Sequence, residues 1–139
     1  MTLETTFRIL FAIIAAGMTL YLAAGLATGR TRVGGRTVER NAAPRLYWGS
    51  LGKIATMAAG LTVAVIQASD DQRLPIVFVG VVGGQLFEML ASGIVALPNG
   101  AYSRADRPGP YWRWVAFHAV ILVVLIGLVI AQRTRAIIL

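Results

Sequence analysis

The sequence contains no cysteine, only one histidine and few acidic residues. Without cysteine, the chain has no disulfide, no thiolate metal site and no thiol nucleophile. A single histidine also leaves haem ligation by two histidines without its second ligand. Charged residues make up 14% of the 139 residues, where a soluble domain has about 25%. A soluble enzyme is therefore excluded.

Apolar residues are abundant instead. They make up 57% of the chain, and the mean hydropathy is +0.70. One span of a bilayer core about 30 Å thick takes roughly 20 residues, so four spans leave no room for a second folded domain. We therefore expect one all-α membrane domain, a four-helix transmembrane bundle packed up-and-down. The apolar runs predict helices at about residues 7–28, 46–68, 74–97 and 111–131.

The segments between the apolar runs differ in length and composition. Residues 29–45 form a basic loop, which Gly34, Gly35 and Pro44 keep from being helical. The short sequence SDDQR, in contrast, predicts a tight connection between helices 2 and 3. Helix 3 has Pro75 in its predicted first turn, where the missing N–H costs nothing. Its predicted end is followed by a proline-rich loop at residues 98–110.

The arginines indicate an orientation in the membrane. The first and third loops carry seven arginines, and the segments at the other side of the membrane carry four. By the positive-inside rule, these two loops lie in the cytoplasm and both termini lie outside, as in a bacterial-type inner membrane. The net charge of +7 then predicts contact with anionic lipid headgroups, and no nucleic acid is expected. The arginines assigned to lipid or partner contact are Arg30, Arg32, Arg36, Arg40, Arg45, Arg104, Arg107 and Arg113.

Two charged residues lie inside predicted spans, Lys53 in helix 2 and Glu88 in helix 3. Charges at such positions are rare and often functional. A rise of about 1.5 Å per residue places Lys53, Tyr21 and His118 roughly 10 Å below the cytoplasmic boundary, and Glu88 about 14 Å below it. The sequence therefore predicts one polar layer with a residue from each helix.

Small residues at four-residue spacing surround most members of this layer. Such residues let helix backbones approach closely, so they mark the faces on which helices pack. Helix 3 has the clearest stripe, which turns Glu88 toward another helix. The residues predicted to pack helices are Gly80, Gly84, Ser92, Gly49, Gly60, Gly17 and Gly25.

The sequence leaves three interpretations of Lys53 and Glu88 open. Glu88 could handle protons or cations in a water-accessible pocket, with Lys53 as its counter-ion and His118 or Tyr21 as a hydrogen-bond partner. The two could instead form a structural ion pair that fixes the register of helices 2 and 3. In the third interpretation, Lys53 extends to the headgroups and pairs with nothing.

No catalytic group, metal site or cofactor is predicted. We expect a non-enzymatic accessory or interaction subunit of a membrane assembly, which binds lipid, other membrane subunits or further copies of itself. The alternative is a proton-coupled transporter of small solutes that uses Glu88. A lipid-modifying enzyme comes third. Its catalytic groups would be expected near the interfacial arginines and tryptophans, but anchoring at the interface and contact with anionic lipid explain that cluster better.

Overall fold

A computed structural model describes residues 2–33, 35–66, 70–97 and 100–138 of the chain. Within these residues lie four helices and two β-hairpins. The helices are α1 (Leu3–Thr28), α2 (Pro44–Ile66), α3 (Asp70–Ser92) and α4 (Pro108–Ile138). All four are long and apolar enough to cross a membrane. The all-α transmembrane fold class is thereby confirmed, and the chain is an integral membrane protein.

The connection between α1 and α2 and the connection between α3 and α4 each contain an antiparallel hairpin. The first joins β1 (Arg30–Val33) to β2 (Arg36–Glu39), and the second joins β3 (Ile94–Leu97) to β4 (Gly100–Ser103). Gly29 and Gly93 end the helices before them in the left-handed conformation, with φ of 66° and 71°. Glycine adopts this conformation without steric cost, so each helix stops here and the chain turns into a strand.

The helix boundaries differ from the prediction at these hairpins. Helix 3 was expected to continue to Leu97, but it ends at Ser92 because Gly93 turns the chain into β3. It also begins earlier, at Asp70, so Pro75 lies inside the helix and not in its first turn. Helices α2 and α4 begin at prolines, whose fixed φ suits the first helical turn. The predicted end of helix 2, at residues 67 and 68, lies outside the described residues.

Contacts along the bundle show that successive helices run in opposite directions. The end of α1 meets the start of α2, where Tyr47 donates a hydrogen bond to the carbonyl of Gly25. The start of α4 likewise meets the end of α3, where Tyr111 donates to Met89. In the α2–α3 pair, Gly49 approaches Glu88 near one end. Both hairpins therefore lie at the same end of the bundle.

The two central helices are buried more than the outer two. Of the most apolar stretch of each helix, 33% is buried in α2 and 22% in α3, against 11% in α1 and 6% in α4. Helix α1 packs on α2, and α4 packs on α3. At the hairpin end, a small core forms around Met89, Val95, Tyr111 and Val115. Most of α1 and α4 therefore faces the surroundings of the bundle.

Candidate functional site

Lys53 and Glu88 form an ion pair between the two central helices. The Nζ of Lys53 lies 2.8 Å from Oε2 of Glu88, and the side chains are 29% and 22% exposed. The pair is therefore mostly enclosed within the bundle. The geometry fits a structural ion pair more closely than a lysine that extends to the headgroups without a partner.

Glycines bring the two charged residues together. A Cβ on Gly84 would lie 2.7 Å from the carbonyl oxygen of Lys53, and one on Gly60 would lie 2.8 Å from the Cα of Gly80. Real Cβ atoms do not come this close to backbone, so only glycine allows α2 and α3 to pack at this distance. Gly49 faces the carbonyl of Glu88 one turn further along. The helix contact thus positions the ion pair.

The remaining small residues of the predicted stripes have different surroundings. Ser92 donates a hydrogen bond of 2.6 Å to the carbonyl of Glu88 and accepts one from the N–H of Ile94. It therefore connects α3 to the second hairpin. A Cβ on Gly25 would come within 2.9 Å of Leu51, so Gly25 lies at the α1–α2 contact. A Cβ on Gly17 would meet no described atom within 4 Å, and the structure does not place Gly17 at a helix contact.

The hydrogen bonds of Tyr21 are made to the first hairpin. Its hydroxyl lies 3.1 Å from Oγ1 of Thr31 and accepts a bond of 2.8 Å from the N–H of Arg32. Thr31 is buried and lies 3.4 Å from the hydroxyl of Ser50 on α2. Tyr21 thus connects α1 to the hairpin instead of joining the ion pair.

His118 bonds within its own helix. Its Nδ1 lies 2.9 Å from the carbonyl of Trp114, and its ring packs against the rings of Trp114 and Phe117. The structure therefore brings together two members of the predicted polar layer, Lys53 and Glu88, and gives Tyr21 and His118 other partners. Among the described residues, no three His, Asp or Glu side chains converge on a point where a metal ion could bind.

The arginines assigned to lipid or partner contact are all exposed. Six of them lie on the two hairpins or in the segments that lead into α2 and α4, and Arg45 lies in the first turn of α2, so seven are at one end of the bundle. Arg30 pairs with Glu39 across the first hairpin at 2.8 Å. Arg113 lies on α4 beside Trp114 and Phe117, with which it lines a shallow apolar depression. The hairpin end therefore presents a positively charged surface.

A second charged cluster lies at the opposite end and was missed from the sequence. Arg73 is buried and lies 3.2 Å from Glu4, which also pairs with Arg8 at 2.7 Å. This cluster connects the start of α1 to the start of α3. The sequence does not reveal the cluster, because no sequence spacing relates residue 4 to residue 73.

A further feature missed from the sequence is an internal repeat with an offset of 64 residues. Both halves match the pattern [ST]-G-x10-R-x3-P-x2-Y-W, which begins at Thr28 in the first half and at Ser92 in the second. The matched residues make the same bonds. The N–H groups of Arg40 and Arg104 donate to the carbonyls of Gly29 and Gly93, both at 2.8 Å.

The repeat extends to the tyrosines and to whole elements. Tyr47 and Tyr111 are fully buried and donate to helix carbonyls 22 residues earlier, at 2.8 and 2.9 Å. Each also packs edge-on against the following tryptophan at 5.1 Å. The strands and the starts of α2 and α4 coincide after a shift of 64. The chain therefore consists of two helix–hairpin–helix units.

The site is an ion pair at the contact between two repeated units, with a basic surface at one end of the bundle. Comparison with family models, with curated proteins and with solved structures finds no match for this chain.

Proposed function

We propose that the chain is a non-enzymatic interaction subunit of a membrane assembly. The observation that carries this proposal is the 2.8 Å contact between Lys53 and Glu88. A carboxylate that carries protons or cations must exchange them with water, whereas Glu88 is already held by an ammonium group of the same chain. In a low-dielectric interior, separating the two charges is costly. The pair is thus suited to fixing how the central helices pack.

The exposed faces of the outer helices also support an interaction role. Helix α4 has only 6% of its most apolar stretch buried and α1 only 11%. Lipid can cover such faces, and so can the helices of a partner. Because helix association in membranes depends on packing and not on a hydrophobic driving force, faces with small residues are the better candidates for contact. Helix α1 has such a face, at Ala12 and Ala16.

The basic hairpin end supports a cytoplasmic location for the hairpins. Seven exposed arginines would lie there at the level of the lipid headgroups, with both termini on the other side. Anionic lipids of a bacterial-type inner membrane attract such a surface by about 1 kcal/mol for each charge close to it. We therefore include anionic lipid among the binding partners.

Native gel electrophoresis of the chain, extracted from its own membrane in a mild detergent, tests the interaction role. We expect a complex larger than the 14.9 kDa chain with its bound detergent. The purified chain in a large molar excess of detergent, so that each micelle holds at most one chain, is the monomer reference. Migration with that reference in every mild detergent would contradict the proposal.

Proton-coupled transport is the second candidate, and the 22% exposure of the Glu88 side chain favours it. If Glu88 carries protons, vesicles that contain the purified chain should take up protons down an imposed gradient. Glu88→Gln should abolish this uptake. Lys53→Met is the matched variant, because it removes the partner and leaves the carboxylate. The interaction role predicts no Glu88-dependent uptake in either protein.

A further inference from the structure

The contact between the two repeats is a helix lying in a groove. Helix α2 of the first repeat packs against α3 beside α4. Gly60 of α2 approaches Gly80 of α3. Thr56 of α2 and Leu122 of α4 both approach the position of Gly83. Towards the other end of the contact, Ala64 packs against Ile76 with Val129 alongside. Side chains of α2 thus occupy the groove between α3 and α4, here called the filled groove, while the backbones of α2 and α4 share at most marginal contact within the described residues.

The equivalent groove of the first repeat is open. It lies between α1 and α2, has a volume of about 520 Å³ and is almost wholly apolar. A shift of 64 residues relates Ala12, Ala16, Thr19 and Val65 of its lining to Ile76, Gly80, Gly83 and Val129, which line the filled groove. The open groove is lined by Ala12, Ala15, Ala16, Thr19, Leu20, Thr62, Val65 and Ile66.

The helix surface that matches the open groove is vacant as well. The residues of α2 that enter the filled groove correspond, after the same shift, to a stripe on α4. Val120, Val124 and Leu128 of this stripe take the positions of Thr56, Gly60 and Ala64. All three are exposed, Val124 by 56%. One chain thus carries both an open groove, between α1 and α2, and an exposed stripe on α4 that matches it. The two do not meet within one chain, since α1 and α4 share at most marginal contact within the described residues.

We infer that α4 of a second copy of this chain docks in the groove between α1 and α2. The contact would continue the packing of the two repeats from one chain to the next. Its helices would be antiparallel, as α2 and α3 are, so both copies would keep their hairpins on the same side of the membrane. Alanine replaces glycine on the groove side and valine replaces glycine on α4, so the helices would lie further apart and the larger side chains would occupy the groove.

Such an interface is heterologous, because a groove on one copy meets a different surface on the other. This inference rests on the proposed interaction role and identifies the partner as the chain itself. Ala16 of one copy should lie close to Val124 of the next, as Gly80 lies close to Gly60 within the chain.

The absence of cysteine makes cross-linking a direct test. Ala16→Cys and Val124→Cys are prepared as separate chains with tags of different size, mixed in lipid vesicles and oxidised. We expect a mixed dimer, at least about tenfold more abundant than with the control Ile14→Cys, because disulfides need Cα atoms within about 7 Å. Ile14 is also exposed and lies two residues away, about 200° around the helix. Neither cysteine variant should cross-link with itself.

A second measurement does not depend on disulfide geometry. Ala16→Phe fills the open groove at a position that is exposed in the single chain, so folding should be retained. The oligomeric fraction in bilayers, measured by single-molecule photobleaching, should fall severalfold relative to Ile14→Phe. Both chains should keep the same helical content by circular dichroism.

The outcomes separate this inference from the proposed function. A mixed-dimer yield equal to the Ile14→Cys control, or dimers of Ala16→Cys with itself, would overturn docking of α4 in the groove. If a larger complex still forms in native membranes, the interaction role stands with another partner. A chain that is monomeric in its own membrane would refute both.

Discussion

The ion pair between Lys53 and Glu88 allows a double-mutant test of its structural role. Glu88→Gln removes the negative charge and leaves an ammonium group between the central helices. Breaking a buried pair costs about 3–5 kcal/mol. Both side chains keep a quarter or so of their surface exposed, so we expect the lower end, about 3 kcal/mol. For a chain of this size, that corresponds to a fall in melting temperature of roughly 10 °C.

The double variant Glu88→Gln with Lys53→Met should recover much of this loss. Replacement of both charges by uncharged groups of similar shape removes the unpaired ammonium, and such replacements are often neutral or stabilising. The measurement is thermal unfolding in one detergent, followed by near-ultraviolet circular dichroism. Exposed Glu39→Gln provides the control, since its pair with Arg30 is solvent-exposed and worth about 1 kcal/mol at most. A double variant no more stable than Glu88→Gln would refute the structural role.

Two further predictions concern packing and the repeat. Gly84→Ala should destabilise the bundle by about 1–3 kcal/mol, because the added Cβ would lie 2.7 Å from the backbone of α2. Gly83→Ala is the control and should be nearly neutral, because the nearest atom is a side-chain methyl at 3.5 Å. Equal melting temperatures for the two variants would show that the contact at Gly84 is not tight. Tyr47→Phe and Tyr111→Phe should each cost about 1 kcal/mol, because each removes one of the two hydrogen bonds that a buried helix carbonyl accepts. The other bond, from the N–H of Gly29 or Gly93, is kept. Unequal losses would argue that the two halves do not share one design.

The four helices could be predicted from the sequence because each is a long apolar run. The hairpins could not be predicted in this way. Residues 94–97 read IVAL, which continues the hydropathy of α3 without a break. Only the left-handed conformation of Gly93 ends the helix before them. A short apolar stretch is equally suited to a helix end and to a buried strand, so periodicity does not separate the two.

The contact between Lys53 and Glu88 was predictable, because helix packing determines the direction in which the Glu88 side chain points. The glycine stripe of α3 turns Glu88 toward α2, and Gly84 admits the backbone of Lys53. Estimated depth in the membrane alone did not predict which polar side chains meet. Tyr21 has a similar estimated depth, but its hydroxyl reaches the first hairpin, where the N–H of Arg32 needs an acceptor. The hydrogen bond from Tyr21 could be expected only once the loop was known to fold back as a hairpin.

The charged pair is present at the interface between α2 and α3 and absent from its proposed equivalent between two chains. Lys53 and Glu88 correspond after the 64-residue shift to Phe117 and Ala24, which are apolar. The contact between α2 and α3 forms within one chain, so its two charges meet as soon as the chain folds. The faces of α1 and α4 must contact lipid before any second copy arrives, and an unpaired charge exposed to hydrocarbon is costly. Apolar residues therefore suit an interface that assembles between chains, whereas the interface within the chain accommodates an ion pair.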